Sequence, residues 1–366
     1  MPVVTIITSI LLIVCVTFSY MQHPKFGQLP KGGHLREIKT SPNYKNGEFR
    51  NIEEKPPFTN KANILKILWE LNANINKNKK PLRPIPSEST NINNIPPHED
   101  YFIWFGHSSY LLQLNGKRFL VDPVFSTNAA PVPFMVKAFK GTSNYTPHDM
   151  PFIDYLIITH DHWDHLDYKT VIALKNKVDT VICPLGVGSH FKHWKYDKSK
   201  ILEKDWGEKH LLTPDLTIHC VTSHHFSGRG LKRNQTLWAS FIIQSADFKI
   251  FLGCDGGYGK HFKEIYRQHG AFDLAILENG QYNKYWEHIH STPEKTIQTA
   301  LDLHAKNLIP IHYSKFSLSS HSWLEPINSI TKHINKYQIN LATPKIGQIV
   351  FLSQLSSGLE QWWQMV

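Results

Sequence analysis

The sequence predicts a mixed α/β fold built in layers, and three observations predict it. From about residue 100 onward, short apolar runs recur between turn residues at strand-like spacing. The first of these runs pair as hairpins and the later ones alternate with helix-length stretches, the order of a mixed α/β layered fold. Several runs end in polar residues. The densest such end, His160-Asp161-His162-Trp163-Asp164-His165, follows the apolar run at 155–158.

Taken in order, residues 3–19 are apolar apart from Thr and Ser, barely enough helix to span a hydrocarbon core of about 30 Å. No Lys or Arg precedes the stretch and no small-residue cleavage site is clear, so residues 1–22 read as a hydrophobic anchor rather than a cleaved signal. Lys25, Lys31, Arg36 and Lys39 follow it, and the positive-inside tendency then places the main domain on the cytoplasmic side of a membrane. Residues 23–97, rich in Asn, Lys and Pro, read as an extension wrapped on a domain or a partly disordered linker. Within it Ile64, Ile67, Leu68 and Leu71 repeat at helical spacing. The main domain is set at 98–355, with a tail at 356–366.

Inside that domain, residues 110–114 and 118–122 flank Asn115-Gly116, a hairpin signature. Residues 168–177 read as a helix and 180–183 as a strand. Strands follow at 216–221, 238–244 and 249–252. Residues 260–269 read as a helix with Gly270 placed to end it, and 273–277 as a strand. Thr292-Pro293-Glu294 opens another helix with a cap residue, a first-turn proline and an acid near the positive dipole end. It runs to about residue 305, and 307–311 is a strand.

Composition bounds the chemistry. The chain has 366 residues, 41% of them hydrophobic and 12% aromatic, ample for a large core. Net charge is +10, which favours anionic partners such as acidic lipid headgroups, phosphorylated molecules or nucleic acid. The four cysteines, Cys15, Cys183, Cys220 and Cys254, form no CxxC pair, which excludes a disulfide framework and a thiolate zinc site.

The chemistry sits at strand ends. In extended chain, residues two apart face one way, so His160 and His162 can reach one metal together, while Asp164 and His165 lie beyond the turn. Burying such groups unpaired would cost several kcal/mol, which coordination offsets. Downstream, His224-His225, Asp255, Glu278-Asn279 and His312 also end apolar runs, and His321 lies in the loop after His312. Taken alone, His312 reads more often as a buried, hydrogen-bonded histidine than as a ligand, and Asp255 reads also as a turn residue before Gly256 and Gly257. His288 and His290 read as supports for ligands rather than ligands.

These motifs resemble the metallo-β-lactamase superfamily, and within it the branch of N-acylphosphatidylethanolamine-hydrolysing phospholipase D and its bacterial relatives. The resemblance is carried by Trp104-Phe105-Gly106-His107-Ser108-Ser109, Asp122-Pro123-Val124-Phe125-Ser126, and Thr159-His160 through Asp167. It continues through His225 with Arg229, Gly253-Cys254-Asp255-Gly256-Gly257, His290 with Pro293-Glu294, and Ile311-His312-Tyr313-Ser314-Lys315-Phe316. It covers about residues 100–350 in order. The resemblance implies an αββα sandwich with two zinc ions, iron or manganese also suiting N and O ligands. It implies that His160, His162 and His225 bind one metal, that Asp164, His165 and His312 bind the other, and that Asp255 bridges them. His225 is chosen over His224 because the family's histidine precedes an aromatic residue, here Phe226. A homodimer is expected by family analogy.

The implied activity is a membrane-associated phosphodiesterase acting on a phospholipid. Two metals would lower the pKa of a shared water, whose hydroxide attacks phosphorus. Asp255 and Asp164 are expected to orient it, and His321 to steady the phosphate or protonate the leaving alkoxide. Arg229, with Lys232 and Arg233, is expected either at the phosphate or on a solvated basic loop. His107 and Asp122 are expected to fix ligand orientation. The rival readings are a lactonase or other hydrolase of a soluble phosphorylated molecule, and a non-catalytic lipid- or nucleic-acid-binding module. With no dedicated RNA-binding arm, nucleic acid is not an expected partner.

Overall fold

In the computed structural model, which describes residues 2–56, 58–59, 67, 78–355 and 360–366, the chain opens with helix α1 (Pro2–Met21) and the short helix α2 (Gly32–Ile38). A two-stranded hairpin, β1 (Tyr44–Lys45) and β2 (Glu48–Phe49), follows. The helix expected around residues 64–71 lies outside the described residues apart from Ile67, which is buried beside Tyr285, Trp286 and Ile289.

Two seven-stranded sheets form the domain. In the first, β3 (Tyr101–Trp104), β4 (Tyr110–Leu114) and β5 (Lys117–Val121) run antiparallel. Asn115 and Gly116 turn the β4–β5 hairpin with φ of 50° and 68°, the left-handed geometry that an Asn-Gly pair tolerates. β6 (Ile153–Ile157), β7 (Val178–Pro184) and β8 (Ile201–Lys204) add in parallel. The crossovers carry helices α3 (Tyr168–Leu174) and α4 (Gly188–His193). The second sheet begins with β9 (Lys209–Thr213), β10 (Leu216–Val221), β11 (Ser240–Gln244) and β12 (Lys249–Leu252), all antiparallel. Helix α5 (His261–His269) then leads to β13 (Phe272–Glu278). Helix α6 (Pro293–Asp302) leads to β14 (Ala305–Ile311), and α7 (Glu325–Ile334) to β15 (Asn340–Leu341), each strand parallel to the last. β16 (Ile349–Phe351) returns to pair with β3.

Strand alternation assigns the layers. Phe102, Trp104, Leu112, Phe119, Ile157 and Ile182 face the second sheet in one shared core. Their neighbours Ile103, Leu111, Leu120, Leu156 and Val181 face the other way, onto Val171 and Leu174 of α3 and Phe191 of α4. Residues of α5, α6 and α7, among them Phe262, Ile297 and Ile327, complete the core on the second sheet. The result is helices, sheet, sheet, helices: the αββα sandwich.

Two expectations need correction. Helix α6 stops at Asp302, not near 305, because His304 takes a left-handed conformation (φ 50°) and Ala305 already begins β14. The segment after 355 is no separate tail: Trp362 and Trp363 are fully buried in the main core, and the Trp362 indole donates to the Thr343 carbonyl at 3.2 Å. Of the two readings of the extension, the described residues fit a segment wrapped on the domain: Phe49 of β2 is buried with Leu237 and Trp238.

One buried cation ties the sheet ends together. Lys315 donates from Nζ to the carbonyls of Phe105 (3.0 Å) and Val124 (2.8 Å), the loops leaving β3 and β5. Burial pushes its ammonium down from 10.5 to about 7. Below pH 7 the folded and unfolded chains both carry this proton. Between about pH 7 and 10.5 the unfolded chain holds it more tightly, so Lys315 makes stability rise with pH across that window. Chemical denaturation of wild type and Lys315→Met should show that rise only in wild type. Trp362→Ala should cost about 3–5 kcal/mol in the same measurement, as expected for a large core side chain.

Candidate metal centre

Seven chain segments deliver polar groups to one end of the sandwich. They are the loops after β3 (His107, Ser108), β5 (Asp122), β6 (His160 to Asp167), β10 (His224, His225), β12 (Asp255) and β14 (His312), with Glu278 closing β13. The loops pack so closely that side chains are excluded. A Cβ on Gly257 would lie 2.0 Å from the His288 carbonyl oxygen, and one on Gly280 would lie 2.4 Å from that of His312. Three of the site residues themselves have left-handed backbones: His107 (φ 53°), Asp122 (φ 41°) and His312 (φ 67°). Such angles persist in bulky residues only where surrounding contacts impose them. Here His107 and His312 bond to neighbouring loops: His107 N–H donates to Tyr313 and His312 N–H donates to His107.

His160, His162 and His225 form the first cluster. His160 Nε2 lies 2.8 Å from His162 Nδ1, and His225 Nε2 lies 3.3 Å from the same nitrogen. His225 Nδ1 bonds the Ile289 carbonyl at 3.0 Å, so it carries the ring proton and Nε2 presents a lone pair. Burial, then the neighbouring imidazoles, push the His160 and His225 rings well below 6.5. Burial also takes His162 down to about 4, even with Asp164 and Asp161 nearby. Neutral rings whose nitrogens converge at these distances match a cation-binding face.

The second cluster is Asp164, His165, His312 and His107. His165 Nδ1 lies 2.7 Å from Asp122 Oδ2, while its Nε2 faces Asp255 Oδ2 at 3.0 Å and Asp164 Oδ2 at 3.5 Å. Without a cation this ring must itself be doubly protonated: burial opposes that, but three carboxylates push it well above 6.5. Burial would raise the Asp164 carboxyl, yet His165 and a 2.8 Å contact with His107 hold it well below the usual range. Burial raises Asp255 to about 6 and Glu278 well above the ordinary value. His312 Nδ1 lies 3.1 Å from Asp255 Oδ1, and its buried Nε2 has no hydrogen-bond partner. Asp255 belongs to a cluster with His160 and His165 and to another with Glu278, His290 and His312. An orphaned ring nitrogen and lone pairs facing carboxylates fit bound metal. The Cys254 thiol, 3.6 Å from His160 Nδ1, is pushed well above 9 by burial, so imidazole and carboxylate make up the donor set.

Surrounding contacts hold the clustered residues. Asp122 accepts from Thr159 N–H at 2.8 Å and Thr159 Oγ1 at 2.6 Å, fixing the start of the metal loop. Asn51 grips the His225 backbone from both sides, donating to its carbonyl at 2.8 Å and accepting from its N–H at 3.1 Å. Nothing in the spacing around Asn51 signals this, since the contact joins residues 174 apart. His224, turned away, spends both ring nitrogens on the carbonyls of His288 and Glu53. His290 Nδ1 lies 2.9 Å from Glu278, and its ring stands 5.3 Å from His225 and 5.2 Å from His312.

Two residues are placed elsewhere than expected. Arg229 is buried and donates to the carbonyls of Asp161 (2.9 Å), Leu166 (2.6 Å) and Lys25 (2.9 Å), with its guanidinium 4.1 Å from the Trp163 ring centre. Its donors are spent on holding the metal loop to the extension and not on a phosphate. Lys232 and Arg233 are exposed on the loop beyond it. His321 accepts from Gln281 N–H at Nε2 (2.8 Å) and donates from Nδ1 to Ser322 (2.8 Å), so neither nitrogen is free for a phosphate or an alkoxide.

A cavity of about 520 Å³ opens over the clusters. His162, Asp164, His225, Asp255 and His290 share its lining with Phe26, Trp163, Phe226, Trp286, Ile289 and Leu318. A slightly larger cavity, about 570 Å³, lies beyond His224 and touches none of the clustered ligands.

Comparison with known proteins agrees with this fold. A family model described as a Beta-lactamase superfamily domain matches residues 117–313. An uncharacterised protein of Mycobacterium tuberculosis is 36% identical over 330 residues, 89% of this chain and 88% of that protein. The N-acyl-phosphatidylethanolamine-hydrolyzing phospholipase D 1 of Caenorhabditis elegans is 28% identical over 241 residues, 61% of this chain and 66% of that one. Among solved structures, a metallo hydrolase of the archaeon Ignicoccus hospitalis superposes with a TM-score of 0.53 at 17% identity, covering 69% of this chain and 97% of its own.

Because Asp122 orients both the metal loop and His165, Asp122→Asn should lower metal affinity by about 10–100-fold. His321→Ala should leave it unchanged. Competition titration with a chromogenic chelator reads both.

Proposed function

Given that the chain belongs to the metallo-β-lactamase superfamily and is a metal-dependent hydrolase, we propose that it is a phosphodiesterase of the phospholipase D type, acting on N-acylphosphatidylethanolamine-like phospholipids. One observation carries this reading: a floor of imidazoles and carboxylates lies under walls of Phe26, Trp163, Phe226, Trp286, Ile289 and Leu318. A phosphate with an acyl chain attached matches apolar walls over a floor that would hold metal cations. A soluble sugar phosphate would leave those walls wet. The similarity to the Caenorhabditis elegans phospholipase D supports the same reading.

In this reading His160, His162 and His225 hold one zinc ion, Asp164, His165 and His312 the other, and Asp255 serves both; iron or manganese would suit the same donors. When bound, the two ions supply an activated water and neutralise charge on the phosphate oxygens. The protein's own part is orientation. His107 steadies Asp164, Asp122 steadies His165, and Asn51 sets the height of His225. His290 replaces His321 as the imidazole that serves the leaving alkoxide: Glu278 holds its Nδ1, and Nε2 is left to exchange a proton. Apolar walls exclude bulk water and direct the acyl chain outward. Helix α1 serves as a membrane anchor with the main domain on the cytoplasmic side.

The test is an assay of purified full chain in mixed micelles, with metal content measured alongside. N-acylphosphatidylethanolamine should be hydrolysed at the headgroup side. Asp255→Ala should lose about 100-fold or more in rate, comparable to removing a principal transition-state contact. Turnover of a lactone panel with no phosphodiester cleavage, or less than one metal per chain, would overturn the proposal.

A further inference from the structure

We propose that the mouth of the metal-centre cavity lies against the surface of the bilayer that holds helix α1, so that a lipid enters from the leaflet rather than from water. The route of entry rests on the phospholipid reading above; the placement of the mouth rests on geometry alone. All of Val4–Met21 is apolar enough to cross a membrane and none of it is buried against the protein. Twenty helical residues span about 30 Å, the thickness of a hydrocarbon core.

The end of this helix is fastened to the rim of the cavity. Tyr20 Oη and Lys25 Nζ both donate to the Pro131 carbonyl at 2.7 Å. The Phe26 ring packs edge-on to Trp163 at 5.2 Å, and a Cβ on Gly230 would lie 3.5 Å from Met21 Cε. Met21, Phe26, Pro131, Trp163 and Gly230 all line the cavity. The Lys25 carbonyl is gripped by Arg229, only four residues after the helix ends. Four residues reach at most about 14 Å, so the mouth stays within that distance of the membrane end of the helix.

The two segments touching the helix end also carry apolar side chains in solvent. Phe134 is 73% exposed, Met135 51% and Leu231 86%. Large apolar groups exposed on segments that also line the cavity mark an interaction surface. Lys137, Lys232 and Arg233 are exposed in the same segments, which suits anionic headgroups, and Tyr20 and Phe26 take the place of interfacial aromatic residues.

The experiment uses full chain with Cys15→Ser, reconstituted in phosphatidylcholine–phosphatidylglycerol vesicles. Nitroxide labels are placed at Leu231→Cys, at Phe134→Cys and, as a control on edge strand β9, at Leu211→Cys. Relaxation by oxygen should exceed relaxation by a water-soluble nickel chelate at 231 and 134, with the reverse at 211. Water-like values at all three overturn the proposal. In parallel, a Phe134→Asp/Met135→Asp variant should hydrolyse phospholipid in vesicles about tenfold more slowly, since interfacial seating scales with buried apolar area. It should hydrolyse bis-(p-nitrophenyl) phosphate at the wild-type rate. Equal loss on both substrates overturns the entry route. Lipid-exposed labels without phospholipid turnover would leave the placement standing and remove the substrate reading instead.

Discussion

The structure is organised around one electrostatic constraint: four imidazoles and two carboxylates are buried together with too few protons to satisfy them. His160, His165, His225 and His312 are inaccessible, and Asp164 and Asp255 nearly so. Water cannot solvate these groups, and an isolated buried charge costs far more than a domain's net stability allows. Neutral imidazoles facing one another gain nothing from proximity. A divalent cation between them converts each lone pair and each carboxylate from a cost into a bond. The sandwich supplies this arrangement because strands from two sheets end at the same edge, so residues far apart in sequence arrive together.

Holding such a cluster open requires rigid supports, and these come from outside the ligand loops. Lys315 pins the exits of β3 and β5 from beneath. Asn51 and the Lys25 carbonyl reach in from the extension. His190 continues the same collar: its Nδ1 accepts from Gln28 N–H at 3.1 Å while its Nε2 lies 3.1 Å from Asp161 in the metal loop. The left-handed backbones of His107, Asp122 and His312 are bearable only within such a frame. Residues 23–56 therefore belong to the centre as much as the β-strands do, despite a composition that reads as linker.

How much of this was legible depends on how local each signal is. The motif from His160 to His165 could be read because five of its six positions carry chemistry and a strand precedes it. The αββα layering followed from strand runs and from family motifs spread across the domain. What escaped was long-range. Trp362 and Trp363 sit in a short polar-looking terminus, and only the core behind Thr343 explains them. Arg229 was expected either at the phosphate or on a solvated basic loop, and it is in neither place: burial turned its donors onto carbonyls. The role expected of His321 came from the family resemblance, and the sequence places it only nine residues after His312. The chain between them folds so that Gln281, in another loop, takes its Nε2. Spacing reports which residues share an element; it says little about which loop meets which.

Arg229 also joins the centre to helix α1. One guanidinium spans the Lys25 carbonyl, four residues past helix α1, and the Asp161 and Leu166 carbonyls that flank Asp164 and His165. Burial lowers its pKa to about 10, still far above neutrality, so the cation persists and its three carbonyl partners share the compensation. Pulling the extension away would leave that charge short of acceptors in a buried position, at a cost of a few kcal/mol. The same displacement would uncover the Trp163 face on which it stacks. The seat of helix α1 and the shape of the loop from His160 to Asp167 are thus one mechanical unit. A lysine here could not reproduce it, because the arrangement uses a planar fork of donors pointing in several directions at once.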